Sequence, residues 1–405
     1  MVSYDLYIGD ALEQLRLLDD EIVDTCITSP PYYGLRDYGA DRQLGLEDSA
    51  ESFIQNLVEV FREVRRVLKP DGTLWVNIGD SYSGSGKGRN ADGFVDIEKI
   101  EGTKQETSKG ATGGYLGKRD DFKPKDLMMI PAMLAIALRA DGWYLRQDII
   151  WAKPNPMPEP VKDRCTKAHE YIFLLSKNRQ YYYDAEAIRE NPDQVLTRKG
   201  SNQPLGGVIG EGRNDREMFT EDITTYGRNK RSVWTVTTKG FKEAHFATYP
   251  PDLIEPCILA GTSQRGCCPE CGKAWNRIVE RIRTERTEIP ANDPRSRPKR
   301  YDNSYTDING RSDCAYLKTQ TLGWEAGCDC DAGDPIPAVV LDPFSGSGTT
   351  AGVALKHGRN AILIELNPEY AALTSKRMKK LVGWEVDEGE SVPVKPTFGQ
   401  WFGGS

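Results

Sequence analysis

The 405-residue chain is predicted to be an α/β protein built on a doubly wound, mostly parallel sheet. Three observations predict it. A short apolar run at 23–28 and the segment 73–78 read as buried strands, and residues with helical spacing (Phe53, Leu57, Val60, Phe61, Val64, Val67, Leu68) lie between them. Near the other end, a strand at 338–341 leads through a Gly-rich turn and a helix into a second strand at 361–364. Strands alternating with helices imply parallel pairing.

The elements follow in order. Tyr4 to Ile8 is a strand that starts almost at once, with no charged leader or apolar signal region ahead of it. Val23 to Thr28 ends in Ser29-Pro30-Pro31-Tyr32. Asp48 with Glu51 resembles a capping box opening the first long helix, and Pro70-Asp71-Gly72 closes it before the strand Thr73–Ile78. From about Ser81 to Lys123 the pattern dissolves into Gly, Ser, Lys, Asp and Thr, as in a long functional or mobile loop. A helix at Leu127–Ala140 and strands at Gln147–Trp151 and Tyr171–Leu175 resume the regular pattern, with the proline-stiffened loop Ala152-Lys153-Pro154-Asn155-Pro156-Met157-Pro158 between the strands. Residues from Asp184 to Lys242 read as polar and irregular, with a basic knot at Arg228, Lys230 and Arg231. A helix at Pro250–Ala260 and a cysteine-bounded insert reaching Cys330 precede the closing strand–turn–helix–strand unit, whose helix Thr349–Lys356 is capped by Gly358.

A formal net charge of -7 argues against a protein that coats nucleic acid by bulk charge, while leaving room for a local basic cleft. No apolar run approaches a membrane span. A soluble, cytoplasmic protein of a bacterial or phage-infected cell is expected. Of nine cysteines, five fall in two places: Cys267, Cys268 and Cys271, then Cys328 and Cys330. In an intracellular chain such bunching reads as metal before disulfide.

The turn Asp342-Pro343-Phe344-Ser345-Gly346-Ser347-Gly348-Thr349-Thr350 lies between strand and helix, where two glycines let the backbone approach a ligand closely. Glu365 follows Gly346 by nineteen positions, at the tip of the next strand, where an acid can accept both hydroxyls of a ribose. The third glycine of the dinucleotide fingerprint is missing, and no lysine follows as in a P-loop. A nucleoside without a pyrophosphate fits best, and S-adenosylmethionine is such a ligand.

Ser29-Pro30-Pro31-Tyr32 follows a buried strand and so belongs at the carboxyl edge of the sheet, where open α/β folds bind ligands. The exocyclic amine of cytosine or adenine is a poor nucleophile because its lone pair is delocalised into the ring. Hydrogen-bond acceptors on both of its N–H groups favour a pyramidal nitrogen with a localised pair. Ser29 Oγ and the Pro30 carbonyl are suitable acceptors, two prolines fix the backbone, and Tyr32 offers an aromatic face to a base drawn out of the stack.

These two loops, in this order, resemble those of the amino-methylating (N4-cytosine/N6-adenine) DNA methyltransferases of phage and bacterial type. With the catalytic motif first and the donor motif last, the chain resembles the family's β class, a circular permutation of the S-adenosylmethionine-dependent methyltransferase fold. The resemblance implies a catalytic loop of Ser29, Pro30, Pro31 and Tyr32. It implies a methyl-donor site of Asp342, Phe344, Ser345, Gly346, Gly348, Thr349, Thr350 and Glu365. Gly9-Asp10-Ala11-Leu12 is similar to the family's acidic element that contacts the donor's adenine, which adds Asp10. The segments 149–155 with His169-Glu170, and 245–250, resemble those that shape the target-base pocket and lead into the donor loop. Serine at the first catalytic position is associated with N4-cytosine, and aspartate with N6-adenine. The implied partners are double-stranded DNA, with room for a cognate restriction endonuclease and for a homodimer. Restriction-modification is the implied setting, and base flipping the implied route to the amine.

On this reading 1–83 is the catalytic half of the methyltransferase domain, 84–124 a flexible loop and 125–183 the continuation of the domain. Residues 184–243 form the target-recognition region, 244–263 the return to the domain, 264–332 the cysteine insert, 333–384 the donor-binding half and 385–405 a tail. In the insert, Cys268, Cys271, Cys328 and Cys330 can supply the four thiolates of structural zinc, with Cys267 or Cys314 as substitutes. Arg277, Arg281, Arg283, Arg286, Arg295, Arg297, Lys299 and Arg300 could grip phosphates or form a solvated face neutralised by Glu280, Glu285 and Glu288. Two rivals are weaker. A C5-cytosine methyltransferase needs a thiolate nucleophile, and the only Pro-Cys pair, Pro256-Cys257, sits in a helix. An inactive zinc-bearing DNA-binding protein would not need intact Ser29–Tyr32 and Gly346/Gly348.

Overall fold

The computed structural model describes residues 2–34, 43–83, 122–190, 228–238, 249–283, 317–331 and 333–382. Most of the long loop at 84–121, the centre of the expected recognition region, residues 245–248, the basic residues from 286 to 300, Cys314 and the tail lie outside them. The chain forms two compact units: Met1–Ala187, Arg231–Trp275 and Ala326–Ser405 in the larger, Ile188–Lys230 and Asn276–Glu325 in the smaller.

In chain order the described elements are β1 (Tyr4–Ile8), α1 (Ala11–Arg16), β2 (Val23–Thr28), α2 (Ala50–Val67), β3 (Leu68–Ile78), α3 (Ile130–Ala140), β4 (Tyr144–Ala152), β5 (His169–Ser176), β6 (Val233–Thr235), α4 (Pro251–Gly261), β7 (Asn276–Arg283), β8 (Leu317–Glu325), β9 (Val339–Asp342), α5 (Thr349–Lys356), β10 (Asn360–Glu365) and α6 (Pro368–Val382). Eight strands form the sheet of the larger unit in the order β1-β10-β9-β2-β3-β5-β4-β6. The run from β1 to β3 is parallel, while β5 is antiparallel to both its neighbours. Helices α1, α2 and α3 pack on one face, and α4, α5 and α6 pack with one another and with the strands. With helices on both faces, β2 and β10 are buried along their whole length, which is why neither sequence alternates regularly between apolar and polar residues.

The strand order reverses between β9 and β2. From β9 the chain winds through α5 to β10, and from β2 it winds the other way through α2 to β3. Such a switch point opens a crevice at the carboxyl ends of the two central strands, the place where open α/β sheets bind ligands.

Several local expectations change. Helix α2 is capped by Ser49, whose side chain accepts from Ser52 N, one residue after the expected Asp48; a serine with extended backbone satisfies the free amide equally well. Its amphipathic face buries Phe53, Leu57, Val60, Phe61, Val64 and Val67. Pro70-Asp71-Gly72 does not separate helix from strand. The helix ends at Val67 and β3 begins at once, with its register against β2 shifting between Val23 and Thr25 as the chain passes a proline that has no amide to donate. Helix α3 starts at Ile130 behind Met129 in a left-handed conformation (φ 57°). Within the region expected to be irregular, Val233–Thr235 forms β6 and extends the sheet beside β4. Among the described residues no helix is long and apolar enough to cross a membrane.

The smaller unit contains an antiparallel pair, β7 with β8, running from Asn276 opposite Glu325 to Arg283 opposite Leu317. The Arg277 guanidinium lies 4.4 Å over the Trp324 ring and donates to Thr321 Oγ1 at 3.0 Å. In the same unit Glu190 pairs with Arg228 at 3.0 Å.

Candidate active site

The two loops singled out in the sequence meet at the switch point. Strands β2 and β9 run side by side with Thr25 opposite Val340 and Cys26 opposite Leu341, so Ser29–Tyr32 and Pro343–Gly348 leave the same sheet edge from adjacent strands. Asp342 fastens them. Its Oδ1 accepts from Thr28 Oγ1 at 2.6 Å and from the Phe344 amide at 3.1 Å. Its Oδ2 accepts from Tyr249 OH at 2.9 Å and from Thr350 Oγ1 at 2.5 Å. Burial raises the Asp342 pKa, and these four donors work against that shift. Asp342 and Thr350 are 1% and 0% exposed. Their side chains hold the two loops together. Thr349 is likewise buried, at the start of α5.

The Gly-rich turn is shaped by its glycines. Gly346 (φ +52°) and Gly348 (φ +74°) both adopt left-handed backbone. A Cβ on Gly348 would lie 2.6 Å from Thr374 Cγ2 of α6, whereas one on Gly346 would meet nothing within 4 Å. The turn is therefore tight against the protein on one side and open beside Gly346. Glu365, at the end of β10, accepts from the Gly346 amide at 2.7 Å through Oε2 and from the Asn367 amide at 2.9 Å through Oε1. Burial pushes its pKa up to about 7 against those two amides, with the Asp342 charge adding to the rise. Ser345 Oγ is buried without a hydrogen-bond partner among the described residues. Asp10 stands two residues beyond Ile8, the β1 residue opposite Glu365, and caps α1 by accepting from the Glu13 amide at 3.0 Å. Phe344 packs partly buried against the core.

On the other side of the switch point, Tyr32 is held at both ends. Its hydroxyl donates to Glu170 Oε2 at 2.7 Å. Its ring sits on the Gly79 backbone, where a Cβ would come within 2.7 Å of Tyr32 Cε2. Asn77 Nδ2 donates to the same Glu170 oxygen at 3.3 Å and to the Tyr171 carbonyl at 3.1 Å. Lys153 pairs with Glu170 Oε1 and lies 4.3 Å over the Trp151 ring. A carboxylate with three partners anchors the Tyr32 hydroxyl, while the Gly79 backbone lies against the ring. Ser29 and Pro31 are half-buried beside it and Pro30 is buried.

Sequence reasoning placed Lys153, Glu170 and Tyr249 in segments near the site without their contacts. It missed Thr28 and Asn77, which carry no signal because both read as ordinary strand residues. Cys257 is 1% exposed in α4, its thiol facing the Leu253 carbonyl at 3.9 Å, and is a core residue. Cys268, Cys271, Cys328 and Cys330 converge elsewhere in the larger unit, their Sγ atoms within 4.8 Å of one another.

A nucleoside-type Gly-rich turn and a Ser-Pro-Pro-Tyr loop, sharing the switch point of a doubly wound sheet, define an amino-group methyltransferase. The model of the DNA methylase family matches residues 23–268 and 336–376. The chain is 37% identical over 374 residues to the Type II methyltransferase M.Cfr9I of Citrobacter freundii, covering 92% of this chain and 87% of that one. It is 36% identical over 377 residues to M.SmaI of Serratia marcescens, covering 93% and 91%. Among solved structures, the PvuII DNA methyltransferase (cytosine-N4-specific) shares the fold at 16% identity and a TM-score of 0.50, covering 96% of this chain and 89% of that one. The chain belongs to the DNA methylase family and is an S-adenosylmethionine-dependent methyltransferase of the N4-cytosine/N6-adenine type.

Proposed function

We propose that the protein is a site-specific methyltransferase acting on the exocyclic N4 of cytosine in duplex DNA, by direct in-line transfer to a flipped-out base. The hydrogen bond from Thr28 to Asp342, which joins the ends of β2 and β9, carries the reading, because it sets the amine-holding loop beside the donor-holding turn. S-adenosylmethionine supplies an electrophilic methyl carbon. The open side of Gly346, the unpartnered Ser345 hydroxyl and the Glu365 carboxylate suit its nucleoside part, with Asp10 toward the adenine. Asp342, Thr349 and Thr350 keep the turn in shape.

Ser29 Oγ and the Pro30 carbonyl accept the two N–H groups of the amine and turn its lone pair toward the methyl group. The N–C bond forms as the S–C bond breaks, the sulfonium charge passes to nitrogen, and one amine proton leaves to water. No covalent enzyme intermediate is needed, and orientation supplies much of the rate. Tyr32, fixed by Glu170, gives the flipped base a stacking face. Serine rather than aspartate at position 29 favours cytosine over adenine. Nucleoside mass spectrometry of DNA methylated by the purified chain is expected to show N4-methylcytosine. N6-methyladenine would overturn the base assignment, and neither product would overturn the activity.

Donor affinity should follow the ionisation of Glu365. A carboxylate accepts two ribose hydroxyls better than a carboxylic acid does. With its pKa near 7, the binding-competent form is lost as pH falls through that value. Calorimetric affinity for S-adenosylmethionine is expected to weaken toward roughly tenfold per unit below pH 7, the limit for one obligatory deprotonation. Glu365→Gln should bind weakly at every pH. A wild-type affinity that stays flat from pH 5.5 to 8 would remove Glu365 from the donor site.

A further inference from the structure

We infer that Cys268, Cys271, Cys328 and Cys330 form a tetrathiolate zinc site whose role is structural, at the opposite end of the sheet from the catalytic crevice. The four residues come from two short segments, 268–271 and 328–330, and none is in a disulfide. Their Sγ atoms all lie within 4.8 Å of one another. Zinc at about 2.3 Å from each of four tetrahedral sulfurs requires sulfur separations of about 3.8 Å, so small side-chain adjustments suffice.

The backbone is already folded as a knuckle. The Gly272 amide donates to the Cys268 carbonyl at 2.9 Å, and the Cys268 amide donates to the Lys273 carbonyl at 2.8 Å. Gly272 takes the left-handed turn position at φ +72°. Amides of Glu270 and Cys271 point at the Cys268 sulfur, and that of Cys330 at the Cys328 sulfur. Amides aimed at sulfur suit thiolates, the form a metal binds. Four protein sulfurs leave no coordination position open, which distinguishes a structural from a catalytic zinc.

Cys267 is not a ligand. It is 1% exposed, and its thiol turns inward to donate to Asp24 Oδ1 at 3.1 Å. Its backbone pairs with Ile336 in both directions, at 2.8 and 2.9 Å. Asp24 is the second residue of β2, and its other oxygen accepts from the amide of Val339, the first residue of β9. The knuckle is thus stitched to the amino ends of strands whose carboxyl ends carry Ser29 and Phe344. It ties together the two chain segments flanking residues 272–327 and takes no part in methyl transfer.

The test is metal analysis of the purified full chain expressed with zinc in the medium. One zinc per chain is expected, with Cys268→Ser and Cys328→Ser each falling below about a tenth of that. Cys165→Ser, at an exposed cysteine outside the quartet, should keep it. If either ligand variant fails to fold, cobalt exchange into the wild-type chain still decides, since four thiolates give tetrahedral ligand-field and sulfur-to-cobalt charge-transfer bands. S-adenosylmethionine affinity should change less than twofold between zinc-loaded and chelated wild-type protein. A folded wild-type chain with no metal and with Cys271, Cys328 and Cys330 open to a thiol reagent would overturn the site. Loss of donor binding on chelation, with the fold intact, would overturn its structural and remote role.

Discussion

Replacing Ser29 by Ala is expected to slow methyl transfer by about a hundredfold to a thousandfold, the range seen when one preorganised hydrogen-bonding group is removed from a reacting centre. S-adenosylmethionine affinity should stay at the wild-type value. Ser29 is half-buried at the end of β2, and on the proposed mechanism its hydroxyl accepts an N–H of the target amine as the lone pair localises. Its loss affects the transition state more than the bound ground state. The Pro30 carbonyl remains, so transfer is slowed, not abolished. The donor turn is held separately through Asp342, whose partners Thr28, Tyr249 and Thr350 are untouched. Single-turnover transfer to duplex DNA from labelled donor, alongside calorimetric donor binding, separates the two effects. A Ser29→Ala enzyme within threefold of the wild-type rate would defeat the role given to this hydroxyl.

The elements most legible in the sequence are those in which one local pattern carries the whole signal. Strands β2 and β9 are covered and so show no regular alternation of apolar and polar residues, and the turn after β9 announces itself through Gly346, Gly348 and the acid in register at Glu365. What could not be read is held by partners distant in the chain. Three residues, Val233–Thr235, become a strand only because β4 offers an unpaired edge, and no periodicity can show in so short a run. Beside Tyr32, Asn77 looks like a polar interruption of an apolar strand, and Glu170, placed near the site by resemblance, shows its partners only once folding brings the side chains together. The cysteine pairs were visible by their bunching. The choice between Cys267 and Cys268 was not, because it depends on which sulfur faces Asp24.

Asp24→Ala is expected to destabilise the protein by about 3–5 kcal/mol, the usual result of stranding one partner of a buried ion pair. Asp24 and Lys69 are each 7% exposed, and their charged atoms lie 2.8 Å apart. Asp24 Oδ1 also accepts from the Cys267 thiol and Oδ2 from the Val339 amide at 2.7 Å, so one carboxylate joins β2, β3, β9 and the cysteine knuckle. Burial alone would lower the Lys69 pKa; the neighbouring Asp24 charge outweighs it and leaves the ammonium above its ordinary value. A raised lysine pKa stabilises the fold fully below the unfolded value near 10.4, and that contribution is lost as pH rises through the folded value. The pair therefore holds through neutral pH. In Asp24→Ala, Lys69 must stay buried and charged without its counter-ion or give up its proton, while the Val339 amide loses its acceptor. Asp24→Ala/Lys69→Met removes both charges and should recover more than half the loss, because the desolvation of the ammonium disappears with it. Denaturant unfolding of the two variants and the wild type measures this directly. An Asp24→Ala protein within about 1 kcal/mol of wild type, or a double variant no more stable than the single one, would show that the knuckle and strand ends are held by packing and not by this carboxylate.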